Sequence, residues 1–103
     1  MFTRLTIELP SALFRRQIRN ITYRMDYFID KMIFYPLHNM TAFNKASRRF
    51  AEVKDEAYLC CSVMDGSQSI EKGERATNAT LSLMGTLVEL KNEVTALIKN
   101  NTK

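Results

Sequence analysis

The sequence predicts an all-α fold, an antiparallel up-down bundle of three long helices that forms a single domain over residues 1–103. Three Gly and two Pro among 103 residues are too few for the many turns of an all-β protein. An apolar content of 46% is enough for a buried core. Three stretches also carry apolar residues at alternating intervals of three and four. This spacing places them on one helix face and predicts a left-handed supercoil.

The first ten residues are expected to form an extended N-terminal arm. Leu5, Ile7 and Leu9 alternate with polar residues, a period that fits either a short strand or an extended arm. Pro10 ends this run.

Helix one is predicted over residues 11–35, with Ser11 as its N-cap. The helix is expected to end at Tyr35 because a residue that precedes proline avoids the helical region, and Pro36 follows. The apolar face of this helix is predicted to consist of Phe14, Ile18, Ile21, Met25, Phe28, Met32 and Tyr35.

Helix two is predicted over residues 41–64, after a cap at either Asn39 or Thr41. Asp65 and Gly66 are predicted to stop it, with Gly66 in the left-handed conformation that glycine favours after a helix. The buried face of this helix is predicted to consist of Phe43, Ala46, Phe50, Val53, Ala57, Cys60 and Met64.

Helix three is predicted over residues 69–99, with Ser69 as its cap. Short connections make neighbouring helices antiparallel. A second apolar stripe of Leu81, Met84 and Val88 indicates contact with more than one neighbour, so these three residues are predicted to form an oligomer or partner interface. The main buried face is predicted to consist of Ala76, Thr80, Leu83, Leu87, Leu90, Val94 and Leu97.

The charge of the chain is distributed unevenly. Residues 1–49 contain nine basic and three acidic residues, whereas residues 50–103 contain six basic and eight acidic residues. Arginine binds phosphate through two hydrogen bonds, so an arginine-rich half favours an anionic polymer as partner. A solvated helix face accounts equally well for the charge alone. The candidate nucleic-acid-binding residues form one group on helix one and one on helix two: Arg15, Arg16, Arg19, Arg24, Lys45, Arg48 and Arg49.

Two tyrosines lie off the apolar face of helix one. Tyr23 and Tyr27 could stack on bases of a nucleic acid. Such tyrosines also pack commonly at helix interfaces, and the sequence leaves both alternatives open.

The sequence favours neither catalysis nor a metal site. One histidine and two adjacent cysteines are too few ligands for zinc, and no cofactor is expected. Cys60 and Cys61 are neighbours that form no ordinary disulfide, which fits a reducing, cytoplasmic location. An enzyme remains an option only if His38 lies in a pocket beside a carboxylate. No apolar stretch is long enough for a membrane span or a signal peptide.

Four segments in order resemble a family of small four-helix bundles. They are Leu9-Pro10, the Arg-Gln-Ile-Arg run at 16–19, the Phe-Asn-Lys-Ala-Ser-Arg-Arg-Phe run at 43–50 and the leucine-rich stretch from Leu83 to Ile98. The family includes proteins encoded in intervening sequences of large ribosomal RNA genes. It also includes the accessory variability determinants of diversity-generating retroelements.

The resemblance implies a non-catalytic accessory protein that forms a basic pentameric barrel and binds nucleic acid and a reverse transcriptase. It also implies which residues contact the nucleic acid: Arg15, Arg16, Arg19, Lys45, Arg48 and Arg49. Family members have a full helix before the proline, whereas nine residues precede Pro10 here. Self-association is therefore expected to cover the fourth helix position beside Leu81, Met84 and Val88.

Two functional hypotheses follow. The first is a non-catalytic, basic helical-bundle accessory protein that binds RNA or DNA and a reverse transcriptase as a homo-oligomer. The second is a protein–protein interaction module, a helical adaptor or inhibitor, that binds no nucleic acid. Charge reversal of Arg15, Arg16 and Arg19 should abolish binding under the first hypothesis and leave it intact under the second.

Overall fold

The computed structural model describes residues 8–32 and 39–101, and they form three helices. These are α1 (Ala12–Met32), α2 (Met40–Gly66) and α3 (Ile70–Asn101). The described residues contain no strand, so the prediction of an all-α bundle is confirmed. The predicted arm over residues 1–7, the predicted end of helix one at Tyr35-Pro36 and His38 lie outside the described residues.

Two of the predicted N-caps are present. The side-chain oxygen of Asn39 accepts a hydrogen bond from the backbone N–H of Ala42 at 3.2 Å, so Asn39 is the cap of α2. The hydroxyl of Ser69 accepts one from the backbone N–H of Lys72 at 3.0 Å at the start of α3. Each cap satisfies one of the N–H groups that a helix start leaves without a partner inside the helix.

The predicted left-handed Gly66 is wrong. No described residue has a positive φ, and α2 continues through Gly66. The helix stops because Ser67 adopts extended backbone angles, with φ −75° and ψ 131°, while its N–H donates to the carbonyl of Met64. An extended residue therefore ends α2 at the place where a glycine turn was expected.

The three helices run up, down and up. The turn at residues 67–69 joins α2 to α3 directly, and these two helices share the largest interface of the three. α1 lies antiparallel to α2, because Arg15 near its start contacts Ser62 whereas Asp26 near its end contacts Lys54. α1 makes a smaller interface with each of the other two helices.

The core lies where the predicted apolar faces meet. Ile18, Phe50, Val53, Leu87 and Val94 are fully buried. The predicted face of α3 is confirmed throughout, since Ala76, Thr80, Leu87, Leu90 and Val94 are buried and Leu83 and Leu97 pack partly against them.

Two residues differ from the predicted faces. Cys61, not Cys60, is fully buried on α2. The reason is the position of α1, which covers the side of α2 that bears Ser62 and Asp65, next to Cys61. Phe28 was predicted to be buried on α1 but is 43% exposed, because the small interface of α1 leaves a groove open beside it.

Candidate nucleic-acid interface

Arg15, the first of the predicted cationic contacts, is part of a cluster that joins α1 to α2. Its guanidinium lies 3.2 Å from the Asp65 carboxylate and donates to the Ser62 hydroxyl at 3.1 Å. The backbone N–H and the hydroxyl of Ser11 donate to the same carboxylate at 2.9 and 2.6 Å. We call Ser11, Arg15, Ser62 and Asp65 the α1–α2 clasp. Arg15 therefore has a structural role in holding the two helices together.

Asp65 occupies an unfavourable position in its own helix and a favourable one beside α1. A negative charge in the last turn of α2 opposes that helix's dipole, whereas the same charge beside the first turn of α1 is stabilised by the dipole there. Burial alone would raise the pKa of the Asp65 carboxyl, but the hydrogen bonds from Ser11 and Arg15 together outweigh burial and lower it. The clasp therefore favours the ionised carboxylate.

The lowered pKa of Asp65 predicts a loss of stability in acid. A group whose pKa is lower in the folded chain stabilises it above the unfolded pKa, and this contribution is lost as pH falls through the folded pKa. The free energy of unfolding should therefore fall as the pH drops below about 4. Urea titrations at a series of pH values would measure it. Asp65→Asn should show a shallower acid dependence, and an identical dependence would contradict the assignment.

The other six predicted cationic residues are exposed. Arg49 forms a weak surface pair with Glu52 at 3.8 Å. The remaining five make no ion pair with any described residue: Arg16, Arg19, Arg24, Lys45 and Arg48. These five side chains thus keep their charge available to a partner in solution.

The exposed cations do not form one stripe. Arg48 lies 14 residues before Ser62, the α2 residue that Arg15 contacts, so the two basic groups are separated by about 21 Å along α2. On α1, Arg19 and Arg24 project about 140° apart at 100° per residue. The helix therefore presents charge on both of its flanks, toward α2 and toward α3.

A groove with a volume of about 400 Å³ runs between α1 and α3. We call it the α1–α3 groove. Arg24 lines it from α1, and Lys91 and Lys99 line it from α3. The remaining lining residues are apolar or neutral: Asn20, Ile21, Met25, Phe28, Thr95 and Ile98. Sequence reasoning identified Arg24 but missed both lysines, since their proximity to Arg24 depends on how α1 lies on α3.

Aromatic side chains lie directly beside this groove. Tyr23, Tyr27 and Phe28, which we call the aromatic patch, form a shallow depression together with Arg24. Tyr23 is 75% exposed and Tyr27 58% exposed. Neither tyrosine is therefore buried between the helices of this chain, so both rings are accessible to a base or to a partner helix.

The predicted interface on α3 is partly open to solvent. Leu81 and Val88 are exposed, whereas Met84 packs partly against the core. Leu59 and Val63 on α2 are also exposed. These residues are apolar surface that a protein partner or a second copy of the chain could cover.

The described residues also bear on metal binding, on cysteine reactivity and on membrane spanning. They contain no group of three or more histidine, cysteine, aspartate or glutamate side chains placed to hold a metal ion. Burial raises the pKa of the Cys61 thiol, as expected for a cysteine that packs in a core rather than one that reacts. Among the described residues, no helix is both long enough and apolar enough to cross a membrane.

Taken together, these features define the class of protein as a small all-α bundle with exposed basic side chains and a basic groove that lies beside an aromatic patch. Comparisons with protein-family models, with curated proteins and with solved structures gave no match to this chain. The resemblance to the four-helix-bundle family therefore rests on the four sequence segments alone.

Proposed function

We propose that this protein is a non-catalytic accessory protein that binds nucleic acid. The observation that carries the proposal is the set of five exposed cations without an acidic partner among the described residues. Other cations of this bundle do pair with a carboxylate, as Arg15, Lys54 and Arg75 do. The five cations on α1 and α2 that have no acidic partner are instead suited to binding phosphates, because a nucleic acid releases counterions when its phosphates are bound.

The uneven distribution of charge along the chain supports the same proposal. The half of the chain that contains α1 and the start of α2 has a large excess of basic residues, whereas the remainder is slightly acidic. Such an asymmetry attracts an approaching polyanion to α1 and to the start of α2. The proposed contacts are therefore Arg16, Arg19, Arg24, Lys45, Arg48 and Arg49, with Arg15 contributing through the clasp that orients α1.

We expect the affinity for nucleic acid to fall steeply with salt and to depend on the arginines of α1. The double variant Arg16→Gln/Arg19→Gln should bind about tenfold more weakly at low salt. Its slope of log affinity against log salt should be smaller by about one to two. A fluorescence-anisotropy titration with a labelled oligonucleotide at several salt concentrations measures both quantities.

The matched control removes two charges from the other half of the chain. Lys72 and Arg75 are exposed on α3, and Arg75 pairs with Glu71 at 3.0 Å. Lys72→Gln/Arg75→Gln has the same net charge as the test variant and should bind almost as well as the wild-type chain. Equal losses in the two variants, or no binding at the lowest salt concentration, would overturn the proposal.

The resemblance adds two proposals about assembly. A homo-oligomer, a pentamer if the resemblance holds, would bring the basic groups of neighbouring subunits together, and a reverse transcriptase would be the protein partner. A cytoplasmic location fits the two free cysteines. Light scattering in line with size exclusion, with and without RNA, tests the subunit number.

A protein–protein interaction module is the second candidate. The exposed apolar side chains of Leu81 and Val88 favour it, since they offer surface that a partner helix could bury. This candidate predicts that Arg16→Gln/Arg19→Gln leaves partner binding unchanged. It also predicts that Leu81→Ala/Val88→Ala weakens partner binding and leaves any nucleic-acid affinity intact.

A further inference from the structure

The α1–α3 groove offers cations, which bind the phosphates of a nucleic acid, and it adjoins aromatic rings, which can stack on the bases. Its charged lining is cationic, with Arg24, Lys91 and Lys99 and no carboxylate among the described residues that line it. Phe28 lines both the groove and the depression formed by the aromatic patch. That depression has a volume of about 440 Å³, similar to the volume of the groove. From this juxtaposition we propose that the groove and patch bind an unpaired nucleic-acid strand in preference to a duplex. The inference rests on the proposed function and specifies its ligand.

Asp26 and Glu93, each two residues from a cation that lines the groove, project away from it. Asp26 on α1 is engaged on the opposite flank, where its carboxylate pairs with Lys54 of α2 at 3.3 Å. Glu93 on α3 is two residues from Lys91 and therefore projects about 160° away from it. A phosphate that enters the groove therefore meets the Arg24 and Lys91 cations, with no carboxylate among the described lining residues.

The aromatic patch supplies flat surfaces that are open to solvent. Phe28 is 43% exposed, and its ring meets the Tyr27 ring edge-on, with the centroids 6.0 Å apart and the planes at 67°. The Lys31 ammonium lies 4.8 Å from the centroid of the Tyr27 ring. Tyr23, one turn before Tyr27, is the most exposed of the three. The three rings keep exposed surface despite these contacts, and stacking with a base would remove more of that surface from water.

The preference for an unpaired strand follows from the geometry of stacking. In a duplex each base already stacks on its neighbours, so its flat faces are not available to a side chain. An unpaired base can turn outward and stack on a tyrosine or phenylalanine while its phosphate remains beside a cation. Contacts to phosphates alone would bind both forms, so the aromatic patch is the feature that distinguishes them.

Three ligands test this inference: an oligothymidylate about 12 nucleotides long, its duplex with oligoadenylate, and an abasic strand with the same number of phosphates. We expect the wild-type chain to bind the oligothymidylate about tenfold more tightly than the abasic strand. Binding should also quench tyrosine fluorescence, which no tryptophan obscures because the chain contains none. The abasic strand measures the phosphate contribution by itself.

Tyr23→Leu/Tyr27→Leu removes the rings and keeps apolar side chains at two exposed positions. This variant should lose about tenfold in affinity for the oligothymidylate and bind the abasic strand and the duplex as the wild-type chain does. The control Leu59→Ala/Val63→Ala changes exposed apolar residues on α2 and should bind all three ligands unchanged. Circular dichroism melting checks that both variants are folded.

The outcomes separate this inference from the proposed function. Salt-dependent binding with equal affinity for all three ligands would overturn the inference and leave the proposed function standing. Equal losses of the tyrosine variant on the oligothymidylate and on the abasic strand would overturn the inference as well. An absence of binding to every ligand at low salt would overturn both.

Discussion

Phe50→Ala is expected to lower the free energy of unfolding by about 3–5 kcal/mol. Phe50 lies near the middle of α2 with 0% exposure and belongs to the cluster in which residues of all three helices meet. Removing its ring forfeits the burial of a large apolar surface and leaves a cavity that rigid helices fill only in part. Since small domains are stable by only about 5–15 kcal/mol, this variant should unfold at a much lower urea concentration.

Leu59→Ala provides the control for this prediction on the same helix. Leu59 is 66% exposed, so its truncation should change the free energy of unfolding by less than about 1 kcal/mol. Urea titrations of both variants at neutral pH, followed by circular dichroism, give the comparison. If the two truncations had similar effects, the buried face of α2 would not lie where the structure places it.

The three helices and most of their buried faces could be predicted because helical periodicity is a local property of the sequence. On α3 even a polar residue, Thr80, was correctly assigned to the buried face. Its hydroxyl donates to the carbonyl of Ala76 at 2.7 Å, so burial leaves it with a hydrogen bond. Thr22 on α1 is buried in the same way and donates to the carbonyl of Arg19 at 3.3 Å, yet it lies outside the apolar repeat and was missed.

The choice between Cys60 and Cys61 shows what periodicity leaves undetermined. Either residue continues an apolar face that includes Ala57 and Met64, because a helix accepts spacings of three and four equally well. Cys61 is the buried residue of the two because α1 covers the flank of α2 on which Arg15 contacts Ser62. The position of a third helix therefore decides between two sequence patterns that a single helix cannot distinguish.

The candidate site was only partly predictable for the same reason. The exposed arginines of α1 could be identified from composition and spacing, since solvated cations need no particular neighbour. The α1–α3 groove could not, because Arg24 and Lys91 are far apart in the chain and meet only through the packing of two helices. The ion pair between Arg15 and Asp65 could not be predicted either, because the two residues are 50 positions apart and nothing in the local sequence indicates that they meet.

Asp65→Asn is expected to lower the free energy of unfolding by about 2 kcal/mol at neutral pH. The substitution keeps the shape of the side chain but removes the charge that accepts hydrogen bonds from Ser11 and Arg15. The Arg15 side chain, 35% exposed, would then remain close to α2 without its counter-charge. The favourable interaction of a carboxylate with the start of α1 would be lost as well.

Asp26→Asn is the matched control, because Asp26 also joins α1 to α2 through an ion pair. Its side chain is 51% exposed, against 12% for Asp65, and surface pairs of this kind contribute about 0–1 kcal/mol. Urea titration should therefore separate the two variants clearly. Hydrogen exchange should also show Asp65→Asn weakening the protection of α1 more than that of α3, because α1 has the smaller interfaces. Equal effects of the two substitutions would mean that the clasp contributes no more than a surface pair, and that α1 is held on α2 by apolar contacts alone.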